Sequence, residues 1–347
     1  MTVDDLDTPS YLVDLDIMER NITNMANHCR DIGIPLRVHT KSHKIPEIAH
    51  RQIAAGAIGV VCQKLGDAEV MVAAGINDIL IPYNLVGRHK VERLTRLARR
   101  ATITVAIDSE ITAEGIADQA RRDGCAVRVL IELDTGSKRC GVQSPEDALD
   151  LARKIVSKPG LDFKGILTFP SRVEAGPFVA RTVELLTGDG IPVEMISGGG
   201  TGAEAASKAI GCTETRSGSY LWEGLTRIGG SDMLHPDRCP CRMLVTVIST
   251  PTPDRIIIDG GMKTFTSYPP PPYGHIIGHP DAKIYGMSVE HGHIDVSQSP
   301  HRFRVGDRLQ VIPLHQEMTL NLHDDLIGTR NGRVDLVWSV AGRGRVK

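Results

Sequence analysis

Eight short apolar runs, each separated from the next by a helix-length amphipathic stretch, fill the first two-thirds of this 347-residue chain. The runs fall at residues 36–39, 58–63, 78–82, 102–107, 127–133, 163–169, 193–197 and 215–221. Helical spacing of apolar residues marks 45–55, 66–74, 86–98, 111–122, 145–156 and 178–186 between them. Parallel strands need crossovers of a dozen residues or more, and helices supply them. Eight such units predict a closed parallel (β/α)8 TIM-like barrel with its helices outside. After about residue 235 the texture changes. Strand-like runs at 242–249, 255–259, 283–289, 308–312 and 334–340 follow one another without helices, which predicts a second, all-β domain. The opening Ser10-Tyr11-Leu12-Val13-Asp14 also reads as a strand and is assigned to the β domain. The expected division is a barrel over 15–234 and a β domain over 1–14 and 235–347. The proline-rich stretch 267–280 is too stiff for a helix, too long for a hairpin, and expected to wall a pocket.

Charge narrows the partners. Forty lysines and arginines against forty-two acidic residues leave no field for nucleic acid or an anionic membrane. The basic run 88–100 carries Val91, Leu94, Leu97 and Ala98 at helical spacing, so it is the solvated face of a packed helix. No apolar run reaches membrane-spanning length and the N-terminus lacks a signal peptide pattern, so a cytoplasmic protein is expected. Seven dispersed cysteines fit reduced thiols. The group His235, Cys239 and Cys241 has metal-like spacing without a second ligand pair, and reads as packing and loop.

In a barrel of this kind chemistry sits at the C-terminal strand ends. The first strand runs into Arg37-Val38-His39-Thr40-Lys41-Ser42-His43-Lys44. A lysine there is expected to be mostly desolvated but open on one side, which favours the neutral amine that forms a Schiff base. Gln63 and Lys64 follow the second strand, and Asp134-Thr135-Gly136-Ser137-Lys138-Arg139 the fifth. The seventh ends in Ser197-Gly198-Gly199-Gly200-Thr201-Gly202, and the eighth carries Gly218-Ser219-Tyr220. Glycines let backbone amides approach an anion, hydroxyls add donors, and the loops after strands seven and eight are the usual phosphate site. A Schiff-base lysine opposite a phosphate cradle is what pyridoxal phosphate requires.

With these motifs in this order, the chain resembles the fold-type III pyridoxal phosphate enzymes of the D-threonine aldolase and D-serine dehydratase group. The resemblance runs from Asp7-Thr8-Pro9-Ser10-Tyr11-Leu12-Val13-Asp14 through His39-Thr40-Lys41, Cys62-Gln63-Lys64 and Arg139-Cys140-Gly141. It continues through the 197–202 glycine run, Gly218-Ser219-Tyr220, Glu290-His291-Gly292 and 313–324. It implies a barrel of the alanine racemase N-terminal type, Lys41 as the Schiff-base lysine, and Gly200, Thr201, Gly202, Ser219 and Tyr220 as phosphate ligands. Gln63 and Arg139 would contact the cofactor ring or its oxygen, His39 would support the lysine or ring, and Phe169 would offer an aromatic face.

In 313–324, His315 and Glu317 would share a face if the segment were a strand. Relatives place a His-x-(Asp or Cys) pair beside the cofactor to hold a divalent metal, so the resemblance implies manganese, magnesium or zinc here. The segment Phe169-Pro170-Ser171-Arg172-Val173-Glu174 departs from the Tyr-x-Gly and histidine of the aldolases, and 221–225 departs as well. The implied activity is metal-assisted cleavage of a D-β-hydroxy-α-amino acid to glycine and an aldehyde, with His291 a candidate base. The nearest alternative is a dehydratase releasing a 2-oxo acid and ammonia. A pyridoxal phosphate carrier is the remoter one, disfavoured by the added β domain. The resemblance also implies a homodimer acting on a small amino acid. Arg172 and Arg227 are candidate readers of a substrate carboxylate.

Overall fold

The computed structural model of the chain describes residues 1–223, 236–266 and 271–347. It divides into two compact units, one of 24–218 with 345–347, the other of 1–23 with 219–344.

The 24–218 unit is the barrel. With β1 (Ser10–Asp14) in the other unit, its strands are β2 (Leu36–His39), β3 (Val60–Val61), β4 (Asp78–Ile81) and β5 (Thr102–Ile107). They continue as β6 (Val127–Asp134), β7 (Leu161–Phe169), β8 (Met195–Gly199) and β9 (Glu214–Ser217). All neighbours pair in parallel, and β2 closes onto β9 with Arg37 opposite Arg216. All eight sequence-predicted strands are present. The second shortens to two residues after Gly59, where a Cβ would lie 2.5 Å from the Arg37 guanidinium. The seventh instead extends into the glycine run, because Ser197, Gly198 and Gly199 pair with Glu214, Thr215 and Arg216.

Helix starts follow the sequence. Ser109 and Ser144 cap Glu110–Arg122 and Pro145–Val156 by accepting from Thr112 N (3.4 Å) and Asp147 N (3.0 Å), and Pro145 suits the first helical turn. Inside, Val61, Leu80, Ala106, Leu130 and Leu167 form a buried layer joined by Met195. The barrel also buries charge, which is tolerable only when paired and hydrogen-bonded. Arg37 Nε donates to both Glu214 oxygens (3.1 and 3.0 Å), and its Nη1 reaches Asp78 at 2.6 Å. Arg216 donates to Ser197 O (2.6 Å), Ser197 Oγ (2.7 Å) and Thr168 O (2.9 Å).

The other unit is a nine-stranded sheet, ordered β11-β14-β13-β12-β15-β10-β1-β16-β17. Its strands after β1 are β10 (Cys241–Thr252), β11 (Arg255–Ile258), β12 (Gly274–Ile276), β13 (Lys283–Met287), β14 (Gly292–Asp295), β15 (Arg308–Pro313), β16 (Asp325–Arg330) and β17 (Arg333–Ser339). β1 lies antiparallel to β10 and parallel to β16, so the opening strand does belong to this sheet. Within the 267–280 stretch, residues 267–270 lie outside the described residues, while β12 pairs with β13 and β15.

One local expectation is overturned. The residues after β15 are not extended: His315 caps the helix Gln316–Leu320, so His315 and Glu317 do not project from one strand face. Among the described residues, no helix is long and apolar enough to cross a membrane.

Candidate active site

The barrel brings its strand ends to one rim, and the first piece of that rim is the turn after β2. His39 caps the 3-10 turn Thr40–Ser42, its Nδ1 accepting from Lys41 N at 3.4 Å. That fixes the tautomer: the proton must sit on Nε2, which donates to Gln63 Oε1 at 3.1 Å. Gln63 Nε2 then donates to Pro82 O at 3.4 Å, so one relay links the ends of β2, β3 and β4. Burial, followed by the positive charges of Lys41 and Arg216, holds His39 well below the ordinary histidine range, so the ring is neutral near pH 7. Thr40 Oγ1 ties the same turn to Val61 O at 3.0 Å. Lys41 itself is exposed, where a mostly desolvated position open on one side was expected.

The turn ends under strain and burial. Lys44 has φ +58°, an unusual state for a side chain with a Cβ, and its Nζ lies 3.7 Å from the buried carboxylate of Asp67. His43 is buried, accepts from Ile45 N at 3.0 Å through Nδ1, and so donates from Nε2 to Gln52 at 3.2 Å. Burial pushes His43 down to about 4 and Asp67 up to about 6.

Across β6 and β7, the Arg139 guanidinium lies over the Phe169 ring at 4.9 Å and 3.6 Å from the buried Glu132 carboxylate. Lys64 lies over Tyr83 at 3.8 Å, on the rim after β3 and β4. Arg172 is exposed beyond β7.

The glycine loop after β8 works differently from its sequence reading. Gly200 (φ +123°) and Gly202 (φ +86°) supply the left-handed path. Their amides, however, are taken within the chain: Gly200 N donates to Arg216 O at 2.8 Å and Gly202 N to Glu204 Oε1 at 3.1 Å. Thr201 Oγ1 accepts from Ser217 Oγ (3.0 Å) and Gly218 N (3.3 Å), which leaves its own hydroxyl proton for an outside acceptor. Thr201 is therefore the donor of this loop, and the glycines shape it. A Cβ at Gly202 would meet nothing within 4 Å, so the loop opens onto space. An exposed lysine, a hydroxyl donor and that space suit a phosphorylated aldehyde. Gly218 is packed so closely that a Cβ would lie 2.8 Å from His39 O.

In the β unit, Ser219 and Tyr220 lie in the 3-10 turn Ser219–Leu221, with Tyr220 buried. Asn21, buried, braces this turn by donating to Leu221 O at 3.0 Å. The Ser219 hydroxyl makes a very short hydrogen bond to Glu317 Oε1. His315 Nδ1 accepts from Met318 N at 3.3 Å. Among the described residues, no group of three or more His, Cys, Asp or Glu side chains comes together for a metal. His315 and Glu317 thus offer one imidazole and one carboxylate, a donor set a hard divalent ion accepts only with further ligands from solvent or substrate. His291 is exposed in the turn between β13 and β14, where its N–H packs on Gly261. Cys239 and Cys241 are buried free thiols; His235 and Arg227 lie outside the described residues.

Sequence reasoning did not single out Asp67 or Glu132 for these placements, nor Ser171, which is buried just after β7. Only Ser171 carried a signal, since it falls in the segment that departs from the aldolase pattern.

Residues 13–225 match the family of the alanine racemase N-terminal domain, and 241–329 match the serine dehydratase domain. Over 98% of its length the chain is 35% identical to a D-threonine aldolase of Arthrobacter sp, covering 93% of that protein. It is 30% identical to the 3-hydroxy-D-aspartate aldolase of Paracoccus denitrificans, with 99% and 94% covered. The crystal structure of D-threonine aldolase from Filomicrobium marinum superimposes with a TM-score of 0.92 at 32% identity, covering 99% of this chain and 98% of that one.

Proposed function

From the membership of this chain in the alanine racemase N-terminal domain family, within its D-threonine aldolase-like group of pyridoxal phosphate-dependent lyases, we propose that it cleaves D-configured β-hydroxy-α-amino acids. D-Threonine would give glycine and acetaldehyde. The observation that carries this reading is the exposed Lys41 at the end of β2, on the rim that holds the Thr201 hydroxyl after β8. Pyridoxal phosphate supplies an electron sink for the pair released when Cα–Cβ breaks.

The chain's own residues do the holding. Lys41 would hold the cofactor through its aldehyde carbon. Thr201 donates to the phosphate, and Ser219 and Tyr220 are proposed as its further ligands. Arg139, stacked on Phe169, keeps a cation for the cofactor oxygen. His39, neutral and fixed in one tautomer, accepts from Lys41 N and so orients the turn without supplying a proton. Cleavage takes a proton from the β-hydroxyl and returns one to Cα; His291 is the proposed base for the first transfer and the Lys41 amine carries the second.

We place a divalent ion, manganese, magnesium or zinc, on His315 and Glu317, where it would acidify a bound hydroxyl. The donor chemistry of the pair supports this, and calorimetric titration with manganese tests it. The reading carries with it a homodimer, as the resemblance implies, and a cytoplasmic setting. The serine dehydratase domain match over 241–329 favours a second reading, elimination of the β-hydroxyl to a 2-oxo acid and ammonia.

The test is incubation with D-threonine, D-serine and D-3-hydroxyaspartate, assaying aldehyde, glycine and 2-oxo acid. Equimolar glycine and aldehyde is the expected outcome. A 2-oxo acid with ammonia would establish the dehydratase instead, and no product from any of the three would overturn both.

A further inference from the structure

The segment after β7 that departs from the aldolase pattern forms a clamp. Ser171 N donates to Gly199 O at 3.1 Å, and Gly199 N donates back to Ser171 Oγ at 2.7 Å. Ser171 is 1% exposed, so neither bond competes with water. The notch it fills depends on Gly198, where a Cβ would lie 2.9 Å from Ser171 Oγ; at Gly199 a Cβ would lie 2.9 Å from the Arg216 guanidinium. Behind Ser171, Thr135 Oγ1 donates to Pro170 O at 3.0 Å and lies 2.7 Å from Thr168 Oγ1, which pins the segment to the loop after β6. Ahead of it, Gly199 is the last residue of β8, and Thr201 follows two residues later. The start of the phosphate loop is therefore held at two points by one buried hydroxyl-bearing residue.

From this geometry we infer that Ser171 is the positioning residue of the phosphate loop, setting where the Thr201 hydroxyl presents itself to the cofactor phosphate. The inference rests on the reading of Thr201 as the phosphate donor. Removing the hydroxyl leaves Gly199 N buried without its acceptor and frees the loop entrance to shift. Lys41 lies on another strand end, so capture of the aldehyde is untouched.

The test measures, on the full-length chain stripped of cofactor, the affinity for pyridoxal phosphate and for pyridoxal, which lacks the phosphate. Ser171→Ala is expected to weaken pyridoxal phosphate about tenfold while pyridoxal changes by less than about twofold. A loss of both affinities together, or of neither, would overturn the inference. Ser171→Cys, which keeps a weak acceptor, should fall between wild type and Ser171→Ala, and carries the measurement if the alanine variant does not fold. Thr201→Val separates the two layers. If it lowers the preference for the phosphate while Ser171→Ala does not, the loop reading stands and the clamp falls. If wild type shows no preference and Thr201→Val changes nothing, both fall.

Discussion

The turn after β2 and the turn after β15 both open with a histidine whose Nδ1 accepts a backbone N–H, His39 from Lys41 at 3.4 Å and His315 from Met318 at 3.3 Å. The first introduces the 3-10 turn Thr40–Ser42 and the second the helix Gln316–Leu320. They differ in what backs them. His39 spends its other nitrogen on Gln63, and Thr40 fastens the turn to the neighbouring strand, so barrel geometry dictates where Lys41 goes. The turn after β15 holds Glu317 through the Ser219 hydroxyl, a contact that strand direction does not fix. A closed parallel barrel aims the residues that follow each strand, whereas a chain leaving an antiparallel strand can turn several ways.

The largest expected effect breaks the first turn chemically without disturbing it. Lys41→Arg keeps the charge and the exposed position but cannot bond an aldehyde carbon. Activity should fall on the order of a thousandfold or more. Borohydride treatment should add the mass of the cofactor to wild type at Lys41 and leave the variant unlabelled. A labelled variant would move the attachment point elsewhere and remove the reason for comparing the two turns.

The next effect comes from the charges beneath that turn. His43, pushed down from 6.5 to about 4, must be deprotonated in the fold, so between about pH 4 and 6.5 the unfolded chain binds more protons and stability rises with pH. Asp67, pushed up from 3.8 to about 6, does the reverse: the folded chain binds more protons, and stability falls as pH rises from about 4 to 6. Both groups are buried and the two slopes oppose each other, each worth roughly 3 kcal/mol. Asp67→Asn should therefore uncover a stability that climbs with pH across this window, and His43→Gln one that declines. Urea denaturation at pH 4.5, 5.5 and 6.5 reads the slopes; equal slopes in the two variants would contradict the assignment.

The two regions were also unequally legible in the sequence. Residues 36–39 form β2 as expected, because an apolar run followed by helical periodicity allows little else, and Lys41 lands on the rim as a consequence. Gly200 and Gly202 were visible as a flexible loop, but not as amides already spent on Arg216 O and Glu204. Those partners come from β9 and from two residues downstream, and spacing does not reveal them. Asp67 likewise gained its role only when the fold buried it beside Lys44. In the β unit, β12, β14 and β16 escaped notice: the first two are only three and four residues long, and β16 has charged ends. The His315 to Glu317 segment misled because period-two spacing was applied to residues that leave their strand at Pro313.

The smallest expected effect asks whether the second turn is more than a cap. His315→Asn preserves an acceptor at the cap position, while His315→Ala removes it at a cost of about 1 kcal/mol. If the turn only caps, Asn should match wild type in denaturation and in manganese titration alike. If His315 and Glu317 hold the ion, His315→Asn should keep the stability yet lose manganese affinity about tenfold. Glu317→Gln should then do the same, since the amide can still accept from Ser219 but brings no charge to a cation. Manganese affinity unchanged in both variants would leave the turn after β15 a structural echo of the turn after β2, alike in its histidine cap and different in function.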